Sequence, residues 1–113
     1  MRKAFRRGLV VGKFSPLHLG HEFLIREALA QCEQLHLLSY SLPELPGCEA
    51  PRRERWLQVR FPDVPALVVT PASIEAWRGE GRVLPDLPHN EAPDHQQRQF
   101  VAELCQVVLG TTV

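Results

Sequence analysis

"VVGKFSPLHLGH", residues 10–21, decides how the rest of the chain is read. A small apolar run stops at Gly12, Lys13 comes next, and His18 and His21 stand three residues apart around Gly20. The β-branched run ahead of Gly12 has the composition of a strand buried on both faces. A helical pattern begins near Leu19, so the residues between form a strand-to-helix turn. Two readings of that turn remain open at this point. In one, the histidines are satisfied locally and merely pack. In the other, Lys13, His18 and His21 converge on an anion. Position favours considering the second, because ligands of open α/β sheets bind beyond the carboxyl ends of the strands. Gly12 allows close backbone approach, Pro16 stiffens the turn, and Gly20 lets His21 occupy the first turn of the helix. The N–H groups exposed there favour phosphate.

Outward from this stretch, "GLVVGKF" (8–14) is the first strand and "LGHEFLIREALAQC" (19–32) the first helix. The spacing turns Phe23, Leu24, Ala28 and Leu29 inward and leaves Glu22, Arg26 and Glu27 in water. "LHLLSYSL" (35–42) is a second strand, and a second helix runs from about Arg52, with Pro51 at its start. "PALVVTP" (65–71) is a third short strand. This alternation builds a parallel sheet with helices on its faces. Five of the ten prolines fall between Pro62 and Pro88, so residues 72–94 read as one irregular loop. Residues 94–110 read as a last helix, with Asp94 as N-cap, Phe100, Leu104, Val107 and Val108 inward, and Gly110 as terminator. The final Thr-Thr-Val looks like the opening of a fourth strand. The chain therefore reads as one α/β domain, truncated at its C-terminus.

Composition narrows the partners. A chain of 113 residues is at most one small domain, and 44% apolar with 23% charged residues is an ordinary globular balance. Thirteen basic residues match thirteen acidic ones, so bulk charge calls for neither nucleic acid nor membrane. The cluster Arg2, Lys3, Arg6 and Arg7 reads as a solvated leader. No apolar run is long enough to span a bilayer, and no signal-type segment comes after Met1. Cys32, Cys48 and Cys105 are odd in number and widely spaced, which implies neither a disulfide framework nor a cysteine zinc site. A reducing cytoplasm is the expected setting.

Two rival motifs fail. A Walker A loop would need glycine where Arg7 stands and Ser or Thr where Phe14 stands. His18 and His21 lack a carboxylate or cysteine at ligand spacing, so no protein-held metal is expected.

Gly12-Lys13-Phe14-Ser15-Pro16-Leu17-His18-Leu19-Gly20-His21 fits the pattern G-[KR]-F-x-P-x-H-x-G-H, and in this it resembles the nucleotidylyltransferase superfamily. It looks most like the nicotinamide mononucleotide (NMN) adenylyltransferase domain of NadR-type proteins. "APRRERWLQ" (50–58) is similar to the P-x-R-x-R-W-L segment of that group. The resemblance covers residues 8–61 and is only topological beyond them. It implies a Rossmann-like, mostly parallel sheet of order 3-2-1-4. It also implies a reaction in which the acceptor's phosphate attacks the α-phosphorus of ATP and pyrophosphate leaves. A phosphate monoester is already an anion, so the protein must position it and stabilise charge rather than supply a nucleophile.

On this resemblance Lys13 clamps phosphate, His18 and His21 stabilise the transition state, and Mg²⁺ bridges the phosphates. Gly12, Phe14, Ser15 and Gly20 border the nucleotide, and Arg53 and Arg55 reach nucleotide or acceptor from the second helix. Trp56 and Trp77 are candidates to stack on a pyridine or purine ring, although Trp56 also reads as core. His36 reads as structural, and His89, Asn90 and His95 receive no catalytic role.

One signature of the superfamily, a Ser/Thr-rich [IV]-S-[ST]-T-x-x-R segment, does not occur, nor does a kinase or helix-turn-helix segment. The expected parent activity is ATP plus NMN giving NAD and pyrophosphate. The alternatives are AMP or CMP transfer to another phosphorylated small molecule, and a truncated, non-catalytic nucleotide-binding fragment.

Overall fold

The computed structural model describes residues 3–110. In chain order the elements are β1 (Phe5–Val11), α1 (Leu19–Gln31), β2 (Cys32–Tyr40), α2 (Ala50–Arg60), β3 (Ala66–Val69), α3 (Pro71–Gly79) and α4 (Asp94–Leu104). A π-helical turn, Cys105–Leu109, continues α4. The described residues divide into two compact units, the first holding residues 3–40 with Glu44–Val68, the second Ser41–Pro43 and residues 69–110.

The sheet has three strands in the order β1-β2-β3. β1 and β2 run parallel, with Phe5 opposite Cys32 and Val11 opposite Leu38. The N–H of Leu37 donates to the Pro65 carbonyl at 2.9 Å, at the approach to β3. The small parallel sheet with helices between its strands is the class that the sequence pattern implied. The fourth strand expected at residues 111–113 lies outside the described residues.

β1 departs from expectation. It is buried only at Val10, while Phe5 and Val11 are exposed. Among the described strands β1 has a neighbour on one edge only, whereas β2 is paired on both. Accordingly Leu35, Leu37, Leu38, Ser39 and Tyr40 of β2 are all buried. The core of the first unit gathers Val10, Phe14, Ile25, Leu35, Leu37, Leu57, Phe61 and Val68.

The phase of α1 is also corrected. Phe23 and Leu24 are 67% and 52% exposed, and Ile25 and Glu22 are buried instead. Ala28 and Leu29 do pack against the core. Apolar residues lie nearly all round this helix, so periodicity alone could not choose its inner face. Glu22 is tolerated inside because Arg60 Nε donates to its carboxylate at 2.7 Å and Arg26 lies 3.8 Å away. On α2, Pro51 sits in the first turn as expected, while Arg53 and Leu57, one turn apart, point inward.

In the second unit, part of the expected loop is helix α3. Thr70 Oγ1 accepts from the Ser73 N–H at 3.1 Å, and Ser73 Oγ accepts from the Thr70 N–H at 3.1 Å. This reciprocal cap, with Pro71 in the first turn, is a helix start written as Thr-Pro-Ala-Ser, with serine where Glu or Gln is usual. Residues 80–93 do lack helix and strand. They are held by side chains: Asn90 accepts from the Leu42 N–H at 2.9 Å and donates to the Pro43 carbonyl at 2.9 Å, and Arg78 Nη2 donates to the Leu84 carbonyl at 2.8 Å.

α4 begins with Pro93, not Asp94, at the capping position, and Asp94 is its first residue. Phe100 and Leu104 are buried as expected, but Val107 is exposed and Val108 half-buried. The π-helical turn after Leu104 alters the angle per residue, so a period of 3.6 misplaces the side chains beyond it. Gly110 closes the turn in the left-handed conformation, φ +67°. Among the described residues no helix is long and apolar enough to cross a membrane.

Candidate anion-binding turn

The turn after β1 is built by three local constraints. The Gly12 N–H donates to the Leu38 carbonyl at 3.0 Å, which carries the β1–β2 pairing one residue further. Phe14 then adopts φ +48°, in the left-handed region that glycine normally occupies, and its ring is buried in the core. A Cβ on Gly12 would meet Phe14 Cε1 at 2.9 Å, so the ring can fold back only over a glycine. Burial of the aromatic ring offsets the backbone strain.

His18 is the N-cap of α1. Its Nδ1 accepts from the Gly20 N–H at 3.0 Å and the His21 N–H at 3.4 Å. His21 returns the contact, its Nδ1 accepting from the His18 N–H at 3.3 Å. The two imidazoles form a capping box of the kind usually made by a hydroxyl and a carboxylate. Their rings stack with centroids 3.7 Å apart at 23°, and Phe14 meets His21 edge-on at 5.0 Å and 84°. A Cβ on Gly20 would lie 2.9 Å from His18 Cε1, which explains the glycine between the pair.

The packing and anion readings are therefore not exclusive. Both Nδ1 atoms accept backbone N–H bonds, so a neutral ring in this arrangement carries its proton on Nε2. Each histidine caps the helix with one nitrogen and keeps an N–H donor on the other.

His21 titrates below the usual histidine range, first because burial disfavours its charged form and second because of charge on His18. Protonating Nδ1 would also remove an acceptor from the box. A folded-state pKa lowered from 6.5 means that the unfolded chain binds more protons in the interval between the two values. The stability linked to His21 is therefore complete above 6.5 and declines as pH falls through that interval. Urea denaturation at a series of pH values should show this decline. His21→Gln, which keeps an acceptor at the third helical position, should flatten it.

The other residues named from the sequence divide clearly. Lys13 is exposed, and among the described residues no ion pair engages its ammonium. Its carbonyl accepts from Ser15 Oγ at 3.1 Å and Ser39 Oγ at 2.9 Å, so the Ser15 hydroxyl is turned onto the loop itself. Arg53 does not present its guanidinium to a ligand. It is fully buried and donates to the Cys48 carbonyl at 3.0 Å, Ser39 Oγ at 2.8 Å and Glu44 Oε2 at 3.1 Å.

Arg55 and Trp56 line a cleft of about 530 Å³ with Pro16, Leu17, Glu22, Val59 and Arg60. This cleft joins the turn to α2, and Trp56 forms its half-buried wall. Trp77 belongs to α3 of the second unit rather than to a loop. Among the described residues no three His, Cys, Asp or Glu side chains are grouped to hold a metal ion.

Ser39 and Glu44 belong to no motif that marks them in the sequence. The available signal was a serine in the apolar carboxyl-terminal half of β2, where a buried hydroxyl must have partners.

Over 31 residues the chain is 52% identical to the trifunctional NAD biosynthesis/regulator protein NadR of Salmonella typhimurium (strain LT2), and equally to that of Escherichia coli (strain K12). The aligned stretch is 27% of this chain and 8% of each relative, so only a small part of those proteins is represented. No family's sequence profile matches the chain, and no solved structure matches it. A short segment of this chain is thus similar to a protein of NAD biosynthesis.

Proposed function

We propose that this chain carries the phosphate-binding part of a nucleotidylyltransferase that joins the adenylyl group of MgATP to NMN, giving NAD and pyrophosphate. The observation that carries the reading is the histidine pair, fixed at the start of α1 through both Nδ1 atoms with an Nε2 donor left on each ring. Donors held this rigidly need little reorganisation as charge develops on a transferred phosphoryl group. Lys13 adds a positive charge on a flexible stem to the same turn. The nucleophile is the acceptor's own phosphate, so no side chain has to be deprotonated. Mg²⁺ arrives with the polyphosphate as part of the substrate.

Arg55 and Trp56 are assigned to the acceptor side, because the cleft they line also contains Pro16 of the turn. Trp77 takes no part in this reading. Among the described strands β1 is paired on one edge only, and its other edge is where the fourth strand of a 3-2-1-4 Rossmann-like sheet would pair. The short likeness to NadR, a protein of NAD biosynthesis, is in keeping with NAD as the product. NMN as the acceptor is carried over from the resemblance of residues 12–21 and 50–58.

The test is pyrophosphate release by the full chain with MgATP and, in separate reactions, NMN, its deamidated acid and phosphopantetheine. Release with NMN is the expected result. Release with phosphopantetheine alone would replace the acceptor, and ATP binding without release in any reaction would make the chain a nucleotide binder rather than an enzyme.

A further inference from the structure

Ser39 sits near the carboxyl end of β2 with 0% exposure, between the buried residues Leu38 and Tyr40. Its hydroxyl has two partners, and their chemistry fixes its direction. Arg53 Nη1, which can only donate, lies 2.8 Å from Ser39 Oγ. The hydroxyl proton must therefore point at the other partner, the Lys13 carbonyl at 2.9 Å. Arg53 cannot turn away easily, because its remaining nitrogens are tied to the Cys48 carbonyl and to Glu44.

The chain of contacts continues beyond Lys13. The next residue is Phe14, held at φ +48° and packed edge-on against His21. His21 in turn stacks on His18. A buried arginine on α2 is thus linked to the imidazole pair through one serine hydroxyl, one carbonyl and one aromatic ring.

We propose that Ser39, oriented by Arg53, is a positioning residue that sets the conformation of the Lys13–Phe14 segment and through it the seating of His21. The role at the site rests on the nucleotidylyltransferase reading above, while the structural link stands apart from it. Arg53 therefore contributes to the site from behind, in place of the direct nucleotide contact expected from the sequence.

The experiment compares the full chain with Ser39→Ala and Ser39→Cys, the second keeping the shape of the side chain, with a somewhat larger atom that is a much weaker donor. The first readout is the chemical shift of the His21 ring protons, which senses the faces of Phe14 and His18. The second is the kcat and KM of MgATP-dependent pyrophosphate release. Both variants should displace the His21 resonances, and kcat should drop by roughly 10–100-fold, the scale of a small misplacement near a reacting group. KM for the acceptor should stay near its original value, because Ser39 touches nothing in the cleft.

Unchanged His21 resonances in the cysteine variant would overturn the proposal, as would a kcat loss that merely tracks loss of folded protein. Should the parent chain release no pyrophosphate, the function proposed above fails. The ring-proton readout then still decides whether Ser39 seats His21. Should Ser39→Ala fail to fold, Ser39→Cys supplies the comparison.

Discussion

His18→Asn is expected to leave the chain as stable as before and to lower pyrophosphate release by about 10²–10³-fold. The reason lies in the division of labour between the two ring nitrogens. Nδ1 of His18 caps α1 by accepting from the N–H groups of Gly20 and His21. An asparagine side-chain oxygen can accept the same bonds, and asparagine is among the best N-cap residues. It lacks the donor that the imidazole keeps on Nε2. Removing one donor aimed at developing charge typically costs a rate factor of about 10²–10³. His18→Ala removes both functions, so it should show the same rate loss together with roughly 0.5–2 kcal/mol of destabilisation. Urea midpoints and turnover measured on the three proteins separate the two effects. Full activity in His18→Asn would reduce the histidine to a cap.

Arg53→Ala should produce the largest loss of stability, on the order of 3–5 kcal/mol, the range for removing one partner from a buried charged network. Glu44 is 30% exposed, so its share of the ion pair is screened by water. The larger part comes from the Cys48 carbonyl and the Ser39 hydroxyl, which lose a donor inside the fold, and from the volume left empty. Small domains have about 5–15 kcal/mol of stability in total, so a loss of this size should be plain in denaturant unfolding. Arg53→Lys should recover only part of it, because one ammonium cannot reproduce a fork that reaches three acceptors. A change below about 1 kcal/mol in Arg53→Ala would show that the network is replaced by water at little cost.

Much of the frame was legible in the order of residues. The order strand, turn, helix over residues 5–31 arises from a β-branched run, a glycine and a helical pattern opening near Leu19, although β1 spans Phe5–Val11 where residues 8–14 were expected. Gly110 ends the last helical segment as its lack of a side chain predicts. Sequence and structure part where two physical signals compete. α1 is apolar on several faces, and the one turned inward carries Ile25 and Glu22, the latter paired with Arg60 38 positions away in sequence. α3 was hidden among prolines because its cap uses serine in place of the usual glutamate or glutamine. The exposure of Val107 comes from a π-helical turn that no hydrophobic period announces.

The site shows the same division. Local sequence determined that two histidines flank a glycine at a helix start, and that Lys13 precedes them on a glycine-initiated turn. Those features depend on residues within ten positions of one another, where short-range sterics and capping act. Only the tertiary structure decided that Arg53 turns inward, that Ser39 grips the Lys13 carbonyl, and that Arg55 and Trp56 share a cleft with Pro16. These outcomes depend on which face of α2 meets β2. That choice is made by burial and hydrogen-bond satisfaction across segments distant in the chain, and it leaves no periodic mark in the sequence.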